Sequence, residues 1–142
     1  RYTGFTRAME EAGLSGGDDF REAEFSISGG YTAGLAVLGD PRTRPTAIFA
    51  GCDEIAVGIT MAARQLGIGV PHDLSIIGID DHPLAETLGI TTLAQRPGAQ
   101  GGRAVELLLE QIDQHDAPAP DEHLLLPTGL TVRSSTGPAR PA

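Results

Sequence analysis

Residues 46–81 read TAIFAGCDEIAVGITMAARQLGIGVPHDLSIIGIDD, and this stretch decides the fold. The run 46–50 is apolar but too short for a helix, so it predicts a buried strand. A helix is predicted over 54–66 with Asp53 as its N-cap, and 74–79 is the most strand-like segment of the chain. Strand, helix and strand in this order predict an α/β fold with parallel strands and right-handed helical crossovers.

The alternation of helices and strands extends on both sides of this stretch. Further helices are predicted over 2–12, 29–38 (capped by Ser28), 84–88 and 97–114, and further strands over 22–26, 90–93, 123–126 and 130–133. The apolar residues of the last helix are expected to face inward: Val105, Leu108, Leu109 and Ile112. The segment 134–142 has no apolar residue larger than alanine, so a disordered tail is predicted there.

Composition excludes several classes of protein. The formal charge is −9, and all ten basic residues are arginine, scattered along the chain. Without lysine there is neither a Walker P-loop nor a Schiff-base enzyme, and an acidic chain does not present a basic nucleic-acid surface. The single Cys52 excludes an intramolecular disulfide. No apolar run reaches the roughly 18 residues of a membrane helix, so no membrane partner is expected. No secretion leader is visible, and the start without Met suggests a fragment.

Side chains able to bind a ligand follow the predicted strands. Ligands of open parallel sheets bind beyond the carboxyl ends of the strands. Phe25 ends the first predicted strand, Asp53 follows the second, and Asp80 and Asp81 follow the third. Carboxylates accept hydrogen bonds from hydroxyl groups, an aromatic face packs on a sugar ring, and the fork of Arg1 can bind two adjacent oxygens. These residues predict a site for a small polyhydroxylated ligand.

Each of these residues also has a simpler interpretation. Asp53 can be only a helix cap, Asp80 and Asp81 only turn residues, and Phe25 only a core residue. Asp53 and Asp80 could also form the carboxylate pair of a glycosidase, although nothing in the sequence indicates a raised pKa. The four histidines have no metal-ligand spacing, so neither a metal nor another cofactor is expected, and no catalytic residue is assigned.

Six motifs occur in an order that points to a known family. They are RYTGFTRAM at 1–9, F-S-x-x-x-G-Y at 25–31, RPTAIFA-x-x-D at 44–53, VP-x-DLSIIGIDD at 70–81, TTL-x-Q at 91–95 and VRSST at 132–136. Together they resemble the effector-binding core of the LacI/GalR family of bacterial transcription regulators. The resemblance covers nearly the whole chain.

The resemblance implies a periplasmic-binding-protein-like fold, whose two lobes clamp a small molecule, usually a sugar. It implies a parallel sheet with helices on both faces and an incomplete lobe. Residues 1–94 would belong to the C-terminal lobe and 95–127 to the N-terminal lobe. Residues 128–136 would return to the C-terminal lobe, and 137–142 would form the disordered tail. Such a core is not an enzyme.

The resemblance also implies the ligand-binding residues and the partners. Ligand contacts fall on Arg1, Phe25, Asp53, Asp80 and Gln95. Cys52 differs from the family pattern, in which many members carry Asn at this position. The partners would be a small-molecule effector, a second copy in a homodimer, and operator DNA bound through an N-terminal head that this chain lacks. The dimer face would include Val57, Met61, Leu84 and Leu88.

Two rival functions stay open at the level of sequence. A cytoplasmic regulator and a sugar-binding protein of an ABC transporter use the same clamp. A helix-turn-helix encoded upstream would favour the regulator, and a signal peptide would favour the transporter. A glycoside hydrolase would reveal itself by turnover.

Overall fold

The computed structural model describes residues 1–14, 20–113 and 124–139. In chain order, the helices and strands of these residues are α1 (Tyr2–Glu11), α2 (Ile27–Leu38), β1 (Ala47–Phe49), α3 (Asp53–Gln65), β2 (Ser75–Ile79), α4 (Pro83–Thr87), β3 (Thr91–Ala94), α5 (Pro97–Asp113) and β4 (Gly129–Thr131). The predicted succession of helices and strands from β1 to α5 is confirmed, with boundaries shifted by one or two residues.

The strands of the described residues form one sheet of order β1-β2-β3-β4. Strands β1, β2 and β3 run parallel, with Ile48 opposite Ile76 and Gly78 opposite Thr92. Strand β4 joins the far edge antiparallel to β3. The three parallel strands therefore end at the same edge of the sheet, where the candidate ligand residues were expected.

Helices α2 and α3 approach each other closely through glycines. A Cβ atom on Gly30 would collide with the backbone of Ile55, and one on Gly58 would collide with the carbonyl oxygen of Ile27. This contact lets α3 lie over the sheet, where Leu74 and Ile76 are fully buried in the hydrophobic core. The position of α3 matters because its first residue reaches the edge that holds the site.

Helices cover both faces of the sheet. A Cβ on Gly78 would meet Asp53 of α3, so this position of β2 faces α3. Phe49 lies opposite Ile77, the neighbour of Gly78, and side chains alternate between the faces of a strand. The Phe49 ring stacks on Phe5 of α1 with centroids 5.7 Å apart, which places α1 on the other face. The predicted α/β class with helices on both faces is confirmed.

Three local predictions at the start of these elements are wrong. Residues 22–26 form no strand. Helix α2 begins at Ile27, and its N-cap is Ser26, whose hydroxyl accepts a hydrogen bond from the Gly29 amide at 3.0 Å. The N-cap of α3 is Cys52 and not Asp53. Ser26, and not Ser28, is the N-cap because its extended backbone directs the hydroxyl towards the amides of the first turn, which have no partner within the helix.

Predictions for the last third of the chain also need correction. The apolar residues of α5 do not face inward as predicted but are 53–57% exposed (Val105, Leu108, Leu109 and Ile112). Residues 124–126 form no strand, and 123 lies outside the described residues. The end of the chain is ordered as far as Gly137, whose amide donates to the Ser75 hydroxyl at 3.2 Å. Hydrogen bonds, and not apolar side chains, fix this segment, while 140–142 lie outside the described residues. No helix in the described part of the chain has the length and hydropathy to span a membrane.

Candidate functional site

The site lies at the carboxyl ends of β1, β2 and β3. Gly51 follows β1, Asp80 follows β2 and Gln95 follows β3. Parallel strands deliver the residues after each strand to one edge, which is why positions far apart in sequence meet here. Arg1, at the start of α1, reaches the same edge.

The carboxylate of Asp80 is the centre of a hydrogen-bonded group. The amide nitrogen Nε2 of Gln95 donates to its Oδ1 at 2.6 Å. The guanidinium of Arg1 donates to the same oxygen at 3.5 Å and also to the carbonyl oxygen of Gly51. Within the described parts of the chain, Oδ2 of Asp80 accepts no hydrogen bond. One carboxylate oxygen is thus held in place while the other stays available to a ligand hydroxyl.

Phe25 adds an apolar wall to this group. Its ring is 65% exposed, and the guanidinium carbon of Arg1 lies 5.8 Å from the ring centroid. A cation over an aromatic face is favourable and holds the arginine in a fixed orientation. The exposed ring leaves an aromatic surface next to the polar group, as ring-shaped ligands require.

The environment opposes the ionised form of Asp80. Partial burial raises the pKa of this carboxyl above its usual value, and the negative charges of Asp53 and Glu54 raise it further. Arg1 and the hydrogen bond from Gln95 act in the opposite direction but do not cancel the rise. A hydroxyl-bearing or cationic ligand that gives Asp80 another donor would favour its ionised form.

Asp53 lies behind the edge and not on it. Its side chain is only 1% exposed. The hydroxyl of Thr92 donates to Oδ1 at 2.6 Å, and the backbone amide of His82 donates to Oδ2 at 2.8 Å. A buried carboxylate with both oxygens bonded inside the chain is better placed to hold the turn at 80–82 than to touch a ligand. Direct contact of Asp53 with a ligand therefore stays a prediction.

The turn after β2 has an unusual backbone. Asp80 has φ 122° and Asp81 has φ 59°. Two consecutive non-glycine residues with positive φ are uncommon, and contacts with neighbouring residues are needed to stabilise this conformation. Besides Asp53, the turn is supported by Thr92 and Arg133, which the sequence did not predict as site residues. Both lie in quoted motifs, TTL-x-Q and VRSST, but their side-chain type alone gives no sign of this role.

A groove of about 790 Å³ begins at Arg1 and Phe25 and runs along the free edge of β1. Most of its lining residues are apolar, and Asp80 is not among them. The side chains of Arg1 and Asp80 are 40% and 41% exposed, so the polar group is open to solvent. No cluster of potential metal ligands occurs among residues 1–14, 20–113 and 124–139.

Comparison with known proteins shows the family to which the chain belongs. The model of the periplasmic binding protein-like domain family matches residues 1–136. A LacI transcriptional regulator from a Rhodococcus species superimposes with a TM-score of 0.85 at 33% identity, over 97% of this chain and 50% of that protein. The chain belongs to the LacI/GalR family. It forms part of the periplasmic-binding-protein-like core of that family.

Two further relatives show the range of the family. The transcriptional repressor PurR of Glaesserella parasuis is 36% identical over 142 residues, which cover 95% of this chain and 42% of the repressor. A LacI family regulator from Enterococcus faecium with bound ribose has a TM-score of 0.82 at 30% identity, over 96% of this chain and 51% of that protein. The chain thus spans about 42–51% of the length of these family members.

Proposed function

We propose that this chain is the ligand-sensing part of a transcription regulator that responds to a small polyhydroxylated molecule, most simply a sugar. The observation that carries the proposal is the group of Arg1, Asp80 and Gln95 at one edge of the sheet, next to the exposed ring of Phe25. An arginine fork and a carboxylate side by side match two adjacent hydroxyls. The bound ribose of the Enterococcus relative supports a sugar as the ligand class.

The proposed lobe arrangement follows the path of the chain. Residues 1–94 would form one lobe, since β1, β2 and β3 and their helices pack together. Residues 95–127 would cross to a second lobe: no residue of α5 is buried, and its apolar face needs a partner. Residues 128–136 would return, because β4 pairs with β3. The ligand edge then faces the crossing, where closure of two lobes would enclose a ligand.

The proposed partners are a second copy of the protein and operator DNA. Met61, Leu84 and Leu88 are 37–51% exposed apolar residues on α3 and α4 or directly after α4, and they would lie in the dimer face. Val57 is buried in the core of its own chain, so it is left out of that face. The DNA-binding head would be supplied by sequence before Arg1, and the regulator would act in the cytoplasm.

The proposed mechanism is allosteric and contains no catalytic step. Ligand that bridges the edge of one lobe to the other lobe binds the closed arrangement better than the open one. Only such a difference in affinity between the two arrangements can shift their populations and thereby change DNA binding. The names of the relatives favour this regulator over a transport protein.

A thermal-shift screen of the full-length protein tests the proposal. Sugars, polyols and nucleobases are added one at a time, and a ligand at about 100 times its Kd stabilises the native state by about 2.7 kcal/mol. In Asp80→Ala, loss of a charged hydrogen bond weakens binding by about 1.5–3 kcal/mol. Asp40→Ala removes a carboxylate from an exposed loop and serves as the matched control. A screen with no stabilising compound, or equal shifts in both variants, would contradict the proposal.

A further inference from the structure

The turn at 80–82 carries the Asp80 carboxylate of the proposed ligand site. The turn follows β2 directly, and the Asp80 amide donates to the Leu93 carbonyl oxygen at 3.0 Å. Beyond that bond the chain turns sharply, with positive φ at Asp80 and Asp81. Such a backbone persists only when contacts on several sides fix it. The direction of the Asp80 carboxylate depends on these contacts.

Two of the contacts come from beneath the turn. The hydroxyl of Thr92 accepts a hydrogen bond from the Asp81 amide at 3.3 Å, and Oδ2 of Asp53 accepts one from the His82 amide. Thr92 in turn donates to Asp53, so the two supports are joined to each other. Both support the backbone of the turn through its amides, and neither of these two bonds involves the side chain of Asp81.

The third contact comes from the segment that follows β4. The guanidinium of Arg133 donates through Nη2 to Oδ1 of Asp81 at 2.8 Å and through Nη1 to the carbonyl oxygen of Ile90 at 2.9 Å. The side chain of Arg133 is only 17% exposed. One rigid fork thus ties the turn to the start of β3, which a lysine with a single charged nitrogen cannot do in the same way.

The backbone of Arg133 is itself firmly attached to the sheet. Its amide donates to the Thr91 hydroxyl at 3.0 Å. Two residues later, the Ser135 hydroxyl donates to the carbonyl oxygen of Ile76 at 2.6 Å and accepts from the Thr91 amide at 2.8 Å. The arginine therefore reaches the turn from a fixed base, and its segment immediately follows the strand that returns from the proposed lobe crossing.

We propose that Arg133 is a positioning residue for the ligand site: through Asp81 it holds the backbone of the turn so that the Asp80 carboxylate points at the ligand. Arg133 touches neither Asp80 nor the proposed ligand position. Its part in ligand binding rests on the proposed function, whereas its hold on the turn does not. The residue also connects the segment after β4 to the turn that carries Asp80.

Hydrogen exchange of the full-length protein without ligand tests the hold on the turn. In Arg133→Met, the amides of Asp81 and His82 should exchange about tenfold faster, because their native turn opens more often. The Ala50 amide, which donates to Ile77 at the same end of the sheet, should keep its rate. The matched control is Arg42→Met, which breaks an exposed ion pair with Asp40 and should change none of these amides. Uniform acceleration across the sheet, or no change in the turn, would overturn the proposal.

Calorimetric titration with D-ribose tests the consequence for binding. Arg133→Met and Asp81→Asn should each raise the Kd about tenfold, and the double variant should be no worse than either, since both remove one interaction. Arg133→Lys should fall between them and the parent protein. Additive losses, or an unchanged Kd in Asp81→Asn, would overturn the proposal even if Arg133→Met fails to fold. Absence of ribose binding by the parent protein would exclude ribose as the sugar that this site binds, while hydrogen exchange would still decide the role of Arg133.

Discussion

Replacement of Asp53 by alanine should destabilise the protein by about 2–4 kcal/mol. This loss is expected even though the substitution removes one negative charge from a chain with a formal charge of −9. The reason is the pair of hydrogen bonds that the buried carboxylate accepts, from the Thr92 hydroxyl and the His82 amide. Alanine supplies no acceptor for either donor.

The magnitude follows from how far each donor is buried. Thr92 is fully buried, so its hydroxyl loses about 2–3 kcal/mol when it has no acceptor. The His82 amide is only partly buried and can donate to water instead. Loss of its bond to Asp53 should therefore cost only about 1 kcal/mol of stability. Alanine also removes the free-energy cost of burying the Asp53 charge, which offsets part of the loss from the two donors. The net loss is therefore about 2–4 kcal/mol.

Urea denaturation followed by circular dichroism measures this change in the free energy of unfolding. Asp53→Asn should cost less than Asp53→Ala, because the amide oxygen still serves one donor. Asp40→Ala should change stability far less than Asp53→Ala, since solvent screens its ion pair with Arg42. A loss below about 1 kcal/mol in Asp53→Ala would refute the assignment of Asp53 as the support of the turn.

Two further substitutions test other parts of the structure. Gly58→Ala should lower the free energy of unfolding, measured by urea denaturation, by about 1–3 kcal/mol, because the methyl group would collide with the backbone of α2. Gly4→Ala is the control, since a Cβ there meets open space and should cause no such loss. Equal effects of the two substitutions would contradict the close packing of α2 on α3. Asp80→Asn should raise the ligand-free Tm at pH 7 and weaken ligand binding. Because the pKa of Asp80 is raised in the folded protein, ionisation of Asp80 lowers stability as pH rises through that pKa. The increase in Tm caused by Asp80→Asn should therefore become smaller as pH falls towards 4. A lower Tm of Asp80→Asn at pH 7 would contradict this reasoning.

The pattern of strands and helices in the middle of the chain could be predicted because each element carries its own local signal. The apolar run before Cys52 and the segment that ends at Asp80 are bounded by turn residues, and both form parallel strands. Their carboxyl ends meet by the rules of parallel sheets, which is why Asp80 could be expected at this edge, within reach of Arg1 if the first helix starts there. Gln95 was assigned to the site only by the family resemblance.

The errors arose where contacts between distant segments decide the structure. The last helix was expected to bury its apolar side within the chain, yet Leu108 and Leu109 are exposed. The tail lacks apolar residues, but Ser135 bonds to both β2 and β3. Similarly, the role of Arg133 depends on two bonds to residues more than 40 positions away. No local pattern reports such contacts.

The most direct measurement is a crystal structure of the full-length protein with the ligand that the thermal-shift screen identifies. Ligand hydroxyls are expected within about 2.6–3.2 Å of the Asp80 carboxylate and the Arg1 guanidinium, with the ligand ring against Phe25 and the second lobe closed over it. A ligand bound elsewhere, with Arg1 and Asp80 still bonded only to the protein, would contradict the assignment of this edge as the sensing site.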